Sequence, residues 1–293
     1  MAQELSDLDV RGCLRFFIGD VRDLDRLKLA MREVDIVVHA AAMKIVPAAE
    51  YNPFECILTN VHGAENVVKA SLTNKVSQVI ALSTDKAVSP INLYGASKLA
   101  SDKIMIAANN ITGDIGTKFS VVRYGNVVRS RGSIVPFFEN LINQGATSLP
   151  ITDPRMTRFW ITLDQGVEFV LSCLTSMQGG EIFIPKIPSI RIVDLASTMA
   201  PNLSHSIIGI RPGEKLHETM ITEDDSRTTL DLGDRYIICP PIHGYGPDRG
   251  GQLSERFVAL GAKAVADRFY YSSDLNEQWL DRSGIATLLS ETA

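Results

Sequence analysis

The residue types best suited to chemistry lie in Ser83-Thr84-Asp85-Lys86, directly after an apolar run, with Tyr94 and Lys98 shortly beyond. An adjacent acid and base suit an elimination, because water loss needs one proton taken and one given in the same pocket. Tyr94 and Lys98 are four residues apart, which on a helix places them on one face a single turn apart. A lysine charge there stabilises a phenolate and draws the phenol's pKa from about 10 towards neutrality, turning Tyr94 into a usable proton acceptor. The bland alternatives are a solvated Tyr and Lys on a helix surface and, for Asp85-Lys86, an exposed ion pair worth under about 1 kcal/mol. Y-x-x-x-K alone is too short to decide. Its place just after a strand end that also carries Asp85 and Lys86 favours the chemical reading.

To reach one cleft, these residues need a strand ending near Ser83 and a helix starting near Tyr94. Short β-branched runs at Leu14 to Ile18, Ile36 to Ala40, Gln78 to Ser83 and Phe119 to Arg123 read as strands. Helical patterns lie between them, at Asp23 to Arg32, Asn52 to Leu72 with its Asn-Pro start, and Leu93 to Ala108. This β-α alternation predicts an α/β fold, a doubly wound parallel sheet with right-handed crossovers and ligands at the carboxyl ends of the strands. After Arg123 the pattern loosens into Ile134 to Asn143, Leu163 to Met177, Glu181 to Ile184 and Ile192 to Met199, broken by prolines. These residues predict a smaller C-terminal substrate-binding lobe that closes over the strand ends, so residues 1–130 form the parallel-sheet domain, which the resemblance given below makes the NADP-binding one, and residues 131–293 mainly the lobe, interleaved with it. The tail Phe269 to Leu280 carries apolar residues worth burying.

The composition of the 293 residues bounds the function. With 29 Lys plus Arg against 34 Asp plus Glu, the net charge is −5, which argues against wholesale nucleic-acid or anionic-membrane binding. At 45% hydrophobic and 22% charged residues the chain has material for a large core, so disorder and coiled coil are disfavoured. No apolar run approaches the roughly 20 residues of a membrane span, and the first seven residues lack a signal pattern; a cytoplasmic, membrane-free protein is expected. Cys13, Cys56, Cys173 and Cys239 show no C-x-x-C spacing, so buried free thiols are expected rather than a metal site.

Taken together, Gly19-Asp20-Val21-Arg22-Asp23, His39-Ala40-Ala41-Ala42, Asn60, Ser83 to Lys86, Tyr94 with Lys98, and Tyr124-Gly125-Asn126-Val127 resemble, in that order, the extended short-chain dehydrogenase/reductase superfamily, whose domain is Rossmann-like. Ala48 to Pro53, Asp153 to Thr162, Gly180 to Pro188 and Ile210 to His217 narrow the resemblance to the configuration-inverting UDP-N-acetylglucosamine 4,6-dehydratases. It covers nearly the whole chain.

The resemblance implies a hydro-lyase that takes and returns NADP with no net redox change, acts on UDP-N-acetylglucosamine and opens pseudaminic acid or related surface-sugar biosynthesis. Carried over residue by residue, Tyr94 with Lys98 removes the proton of the sugar 4-hydroxyl, Lys86 abstracts the C5 proton, Asp85 protonates the departing 6-hydroxyl, and C5 is reprotonated on its opposite face; Thr84 belongs to the same catalytic group. Asp20 and Val21 meet the adenine end of the cofactor, Ala40, Ala41 and Ala42 let backbone approach the dinucleotide, Asn60 braces the neighbouring strand, and Tyr94 and Lys98 face the nicotinamide side. Lys44, Asn126, Val127, Arg131, Arg158, Arg211 and Glu214 match substrate positions, the cations suiting a diphosphate. In Arg211-Pro212-Gly213-Glu214 the Pro and Gly fix a turn that presents both charges. The resemblance also implies a homo-oligomer, with no nucleic-acid partner and no metal.

Three departures accompany it. No G-x-G-x-x-G occurs near the start, and Leu14 to Ile18 corresponds to the family's third strand. The expected fold is thus an N-terminally truncated sheet lacking the central strand, the second strand and the glycine turn, with Met1 to Leu5 an internal stretch of first-domain helix and the rest encoded upstream. Ile45 and Arg129 stand where the family usually has His and Gly; Arg129 either adds a phosphate contact or blocks the substrate. The alternatives are an inactive shortened homologue that binds only nucleotide-sugar or a protein partner, a UDP-sugar 4-epimerase, which lacks the Asp85-Lys86 pair, and a configuration-retaining dehydratase, which typically has membrane helices and Met in place of Tyr94.

Overall fold

The structure, a computed structural model, describes Leu5, residues 12–240 and residues 249–292; apart from Leu5, the expected Met1 to Leu5 helix lies outside the described residues. Asp23 caps α1 (Leu24–Ala30) by accepting from the Arg26 amide. Strand β1 (Ile36–His39) follows, then α2 (Val46–Tyr51) and α3 (Pro53–Ile57), which passes through a π-helical turn (Leu58–His62) into α4 (Gly63–Thr73). The single helix expected from Asn52 is therefore interrupted once. Strand β2 (Gln78–Leu82), a 3₁₀ turn (Asp85–Ala87), α5 (Leu93–Ala108) and β3 (Lys118–Val122) complete the regular alternation. Asn92 caps α5 through the Gly95 amide at 2.8 Å, so the helix starts where the sequence places it.

The second half supplies β4 (Asn126–Val127), α6 (Ile134–Asn143), β5 (Ser148–Ile151), β6 (Thr157–Ile161), α7 (Leu163–Ser176), β7 (Ile182–Pro185), β8 (Ser189–Arg191), α8 (Ile192–Met199) and β9 (Ser204–Ile207). It continues through β10 (Thr219–Ile221), β11 (Thr229–Asp231), β12 (Arg235–Ile238), α9 (Arg249–Ala259), β13 (Lys263–Ala264), β14 (Tyr271–Ser272) and α10 (Arg282–Glu291).

Seven strands form the main sheet in the order β1-β2-β3-β7-β12-β11-β13, so strands from both halves of the chain share it. β1, β2, β3 and β7 run parallel; β12, β11 and β13 add antiparallel. In β2, Val79 and Ala81 face a core with Val67, Val68, Met105 and Phe119 beneath α4 and α5, while Ile80 faces Phe169, Val170, Phe183 and Phe257 beneath α7 and α9. Burial on both faces is why this strand reads as a continuous apolar run. A third core, with Phe138, Leu149, Trp160, Leu195 and Leu288, gathers α6, β5, β6, α8 and α10.

Leu14 to Ile18 is a correction: it forms no strand. Among the described residues the sheet ends at β1, so no ladder there recruits the segment. Instead the Arg26 guanidinium donates to the Ile18 carbonyl at 2.7 Å and stacks on Phe17, and Ile18 is 94% exposed. The tail is likewise only partly buried, with Tyr271 inside and Leu275 outside. No helix of the described residues is long and apolar enough to cross a membrane.

Candidate active site

The chain leaves β2 as Ser83-Thr84, still tied to its neighbour: the Ser83 amide donates to the Val122 carbonyl at 2.7 Å and the Asp85 amide to the Tyr124 carbonyl at 3.1 Å. Thr84 then starts the 3₁₀ turn, its hydroxyl accepting from the Lys86 amide at 3.3 Å and donating to Asp85 Oδ1 at 2.9 Å. Lys86 Nζ lies 3.0 Å from the same Oδ1. Asp85 is fully buried, whereas the Lys86 side chain keeps 26% of its surface, opening onto the cleft. This is not the exposed ion pair of the bland reading. Burial alone would lower the Lys86 ammonium; the charges of Asp85 and then Glu218 outweigh it, and with Arg158 opposing, Lys86 is held above the ordinary lysine range.

Helix α5 supports this turn through a missing side chain. A Cβ on Gly95 would collide with the Lys86 carbonyl, so only glycine lets the helix start pass under the Asp85–Ala87 turn. Tyr94, 9% exposed, packs with Ala49 and Cys56. Burial pushes its phenol up to about 12; the Lys86 charge and a hydrogen bond with Thr84 pull the other way. Lys98 lies one turn further along α5 and is 3% exposed. Its Nζ donates to the Leu82 carbonyl at 2.8 Å, and its charge acts on His39, whose buried imidazole falls to about 4 through desolvation first and Lys98 second. The i,i+4 spacing is right, but the lysine is drawn to a strand-end carbonyl rather than to the phenol.

Opposite the turn opens a cleft of about 620 Å³, lined by Lys86, Asn126, Arg158, Arg211 and Glu214 among the expected residues. The Arg211-Pro212-Gly213-Glu214 turn closes with the Glu214 amide on the Arg211 carbonyl at 3.1 Å, Gly213 taking φ +76°. Asn92 donates to the Gly213 carbonyl at 2.8 Å, and Arg158 donates to the Lys215 and Leu216 carbonyls at 2.9 and 3.0 Å, so both walls grip this loop. Gly125, between Tyr124 and Asn126, would place a Cβ 2.5 Å from that of Phe159; its absence lets the strand end bring Asn126 to the cleft. Asp85 Oδ2, Asn126 Oδ1, Glu214 Oε2 and Glu218 Oε2 are buried with no hydrogen-bond partner among the described residues. A group of orphaned acceptors suits a ligand rich in hydroxyl donors.

The remaining expected residues lie elsewhere. Ala40, Ala41 and Ala42 follow β1 on the surface, their methyl side chains leaving the backbone approachable. Asn60, inside the π turn, accepts from the Met43 amide at 2.7 Å and donates to the Met43 carbonyl at 3.0 Å and to Ser97 Oγ at 2.8 Å, clamping that loop to α5. The Asp20 carboxylate is gripped by Arg22, which holds it down at about 2, and half-buried Val21 packs on Gly63. Lys44 and Arg131 are exposed, and neither they nor Val127 line the cleft. Arg129 takes neither expected role: it pairs with Glu139 and donates to the Leu289 carbonyl at 3.3 Å, away from the cleft. Ile45, 57% exposed, precedes α2. Sequence reasoning missed Lys215 and Glu218, which line the cleft in the stretch just after the recognised Arg-Pro-Gly-Glu turn. Among the described residues no His, Cys, Asp and Glu group could hold a metal ion.

Comparison with known proteins places the family and the fold. Residues 1–240 match the family described as "Polysaccharide biosynthesis protein". A Campylobacter jejuni (strain 81-176) protein named UDP-N-acetylglucosamine 4,6-dehydratase (inverting) is 58% identical over 99% of this chain and 86% of its own length. A Rickettsia akari protein named UDP-glucose 4-epimerase is 45% identical over 86% of this chain and 73% of its own. Among solved structures, Pen from Bacillus thuringiensis superposes with TM-score 0.85 at 36% identity, covering 99% of this chain and 85% of that one. A Streptomyces venezuelae dTDP-glucose 4,6-dehydratase, solved with NAD bound, shares the fold at TM-score 0.69 and 20% identity over 99% of this chain and 83% of that one.

Proposed function

Since the chain belongs to the polysaccharide biosynthesis family and, within it, to the inverting UDP-N-acetylglucosamine 4,6-dehydratases, we propose that it removes water from UDP-N-acetylglucosamine and inverts C5, giving the 4-keto-6-deoxy L-arabino sugar of pseudaminic acid or related surface-sugar synthesis. The observation that carries this reading is the fully buried Asp85 bonded to Lys86 at the floor of a cleft walled by Arg158, Arg211 and orphaned acceptors.

The residues divide the work as follows. Arg158 and Arg211 face the diphosphate, while Asn126 and Glu214 accept from sugar hydroxyl or amide groups. Tyr94 acts on the sugar 4-hydroxyl as its phenolate: the phenol first gives its own proton to solvent, the Lys86 charge easing that ionisation, and the phenolate then takes the 4-hydroxyl proton as hydride leaves C4. In the resting pair the proton is on Lys86 Nζ. Passing it across the 3.0 Å contact to Asp85 leaves an amine and a carboxylic acid side by side, the two forms an elimination requires. Lys86 then takes the C5 proton, Asp85 gives its own to the departing 6-hydroxyl, and water leaves. Ala40 to Ala42, with Asn60 and Lys98 beside them, would hold a nicotinamide dinucleotide, which when bound would supply hydride acceptance and return at the sugar with no net redox change. The choice of NADP over NAD is supported by the family resemblance, as is a homo-oligomeric assembly.

Because several relatives are named UDP-glucose 4-epimerase, the competing reaction is inversion at C4, which needs neither Asp85 nor Lys86 and leaves the mass unchanged. Incubation of the chain with UDP-N-acetylglucosamine and NADP in deuterated water separates them. Loss of one water, about 18 Da, with deuterium at C5 is the expected result; a product of unchanged mass overturns it. Lys86→Ala should abolish water loss while UDP-sugar binding persists.

A further inference from the structure

A second carboxylate faces Lys86 from the far wall. Glu218, immediately before β10, is 2% exposed, with Oε1 3.1 Å from Lys86 Nζ and 3.9 Å from Arg158 Nε. Its backbone is clamped on both sides: its amide donates to Ser273 Oγ at 3.0 Å and its carbonyl accepts from the Ser273 amide at 2.8 Å. Its Oε2 is one of the orphaned acceptors. The ladder of β10 with β14 therefore fixes this carboxylate independently of the turn that carries Lys86.

We infer that Glu218 is the positioning residue of Lys86, holding Nζ at the cleft floor and stabilising the charge that Lys86 acquires when it takes the C5 proton. The inference rests on the proposed elimination. In that step the C5–H bond breaks, its electron pair passes into the enolate of the 4-ketone, and the proton forms a bond with Nζ. Asp85 cannot stabilise the new ammonium throughout, because its own proton leaves for the 6-hydroxyl only as the elimination proceeds. Glu218 touches the ammonium and exchanges no proton, so its charge is available from the start. A carboxylate in that place strengthens a base that must attack a weakly acidic carbon. The other groups acting on Lys86 are Asp85, Arg158, Lys215 and Tyr94; Asp85 and Glu218 raise its affinity for a proton and Arg158 lowers it.

Lysine ¹³Cε resonances of the full chain test this without requiring turnover, the Lys86 signal being identified by its loss in Lys86→Arg. Glu218→Gln keeps the shape and removes the charge. Lys86 should then titrate at least about one pH unit lower than in the unaltered chain, and kcat for water loss should fall about tenfold or more with KM within about threefold. Glu218→Asp, which keeps the charge but withdraws it by one methylene, should fall between, and it is the variant to read if Glu218→Gln does not fold. An unchanged Lys86 titration, or an unchanged kcat, in a folded variant overturns the inference. Absence of water loss from the unaltered chain overturns the elimination instead, while the titration still decides what Glu218 does to Lys86.

Discussion

Asp85 and Asp20 both pair with a cation within two residues in sequence, one at the end of β2 and the other before α1. Asp20 is 48% exposed and grips an equally exposed Arg22, which reaches on to Glu55. Its carboxyl falls to about 2 because the ionised form gains Arg22 hydrogen bonds without losing much water. Asp85 is fully buried, shares Lys86 with Glu218, and sits on a turn that a glycine must accommodate. The same local pattern thus gives a solvated brace in one place and, in the proposed elimination, a proton-transferring pair in the other. What separates them is the walls: the β3 end, α5 and the Arg211 to Glu218 loop close around Asp85, and among the described residues nothing comparable closes around Asp20.

The most severe way to break this comparison is to neutralise both aspartates. Asp85→Asn should cut water loss on the order of 10³-fold, since the amide cannot supply the proton to the leaving hydroxyl; a loss below tenfold in initial-rate assays would sink that role. Gly95→Ala keeps every charged group and pushes on the Lys86 carbonyl. Misplacement of this size should lower kcat by about 10² with UDP-sugar affinity nearly unaltered, and wild-type kinetics from that variant would mean the turn is not pinned by the helix start.

A subtler probe lies at the end of β1, where His39 is the buried titratable group of an otherwise open edge. Its folded value of about 4 lies below the ordinary 6.5, so its contribution is fully present above pH 6.5 and is lost as pH falls from 6.5 to 4. The loss should reach at most about 3 kcal/mol, seen as a falling denaturation midpoint that His39→Gln flattens; an equal slope in both chains would count against it. The smallest effect is expected from Asp20→Asn. An exposed pair contributes little, so at pH 7 the thermal midpoint and kcat should stay within error of the unaltered chain, and a large loss of either would erase the contrast with Asp85.

Much of this architecture was legible because burial leaves a period in the sequence. β2 shows its two-sided burial as an apolar run, α5 starts at its Asn92 cap, and the Arg211 turn follows from Pro and Gly chemistry. Leu14 to Ile18 has the same β-branched appearance, but strand formation depends on a neighbour that pattern does not encode. Lys98 was placed correctly on its face; which acceptor its Nζ chooses is a matter of a few ångströms beyond any spacing rule. Glu218 left no signal beyond its place just after the Arg-Pro-Gly-Glu turn. It stands between a loop and a three-residue strand, and its importance comes from Lys86, more than 130 residues earlier in the chain.

The π turn that carries Asn60 has a consequence for anyone who would regularise this protein. It amounts to one extra residue wound into what would otherwise be a continuous rod from Pro53 to Thr73. Deleting one residue from Leu58 to His62 should give a longer, better-bonded helix and rotate everything on its N-terminal side by about 100° around the axis. Asn60 would then swing off Met43, and the loop after β1 would lose its clamp to α5. The irregularity works as a phase shifter, setting two stretches of helix out of step so that one can face the core while the other faces the strand ends.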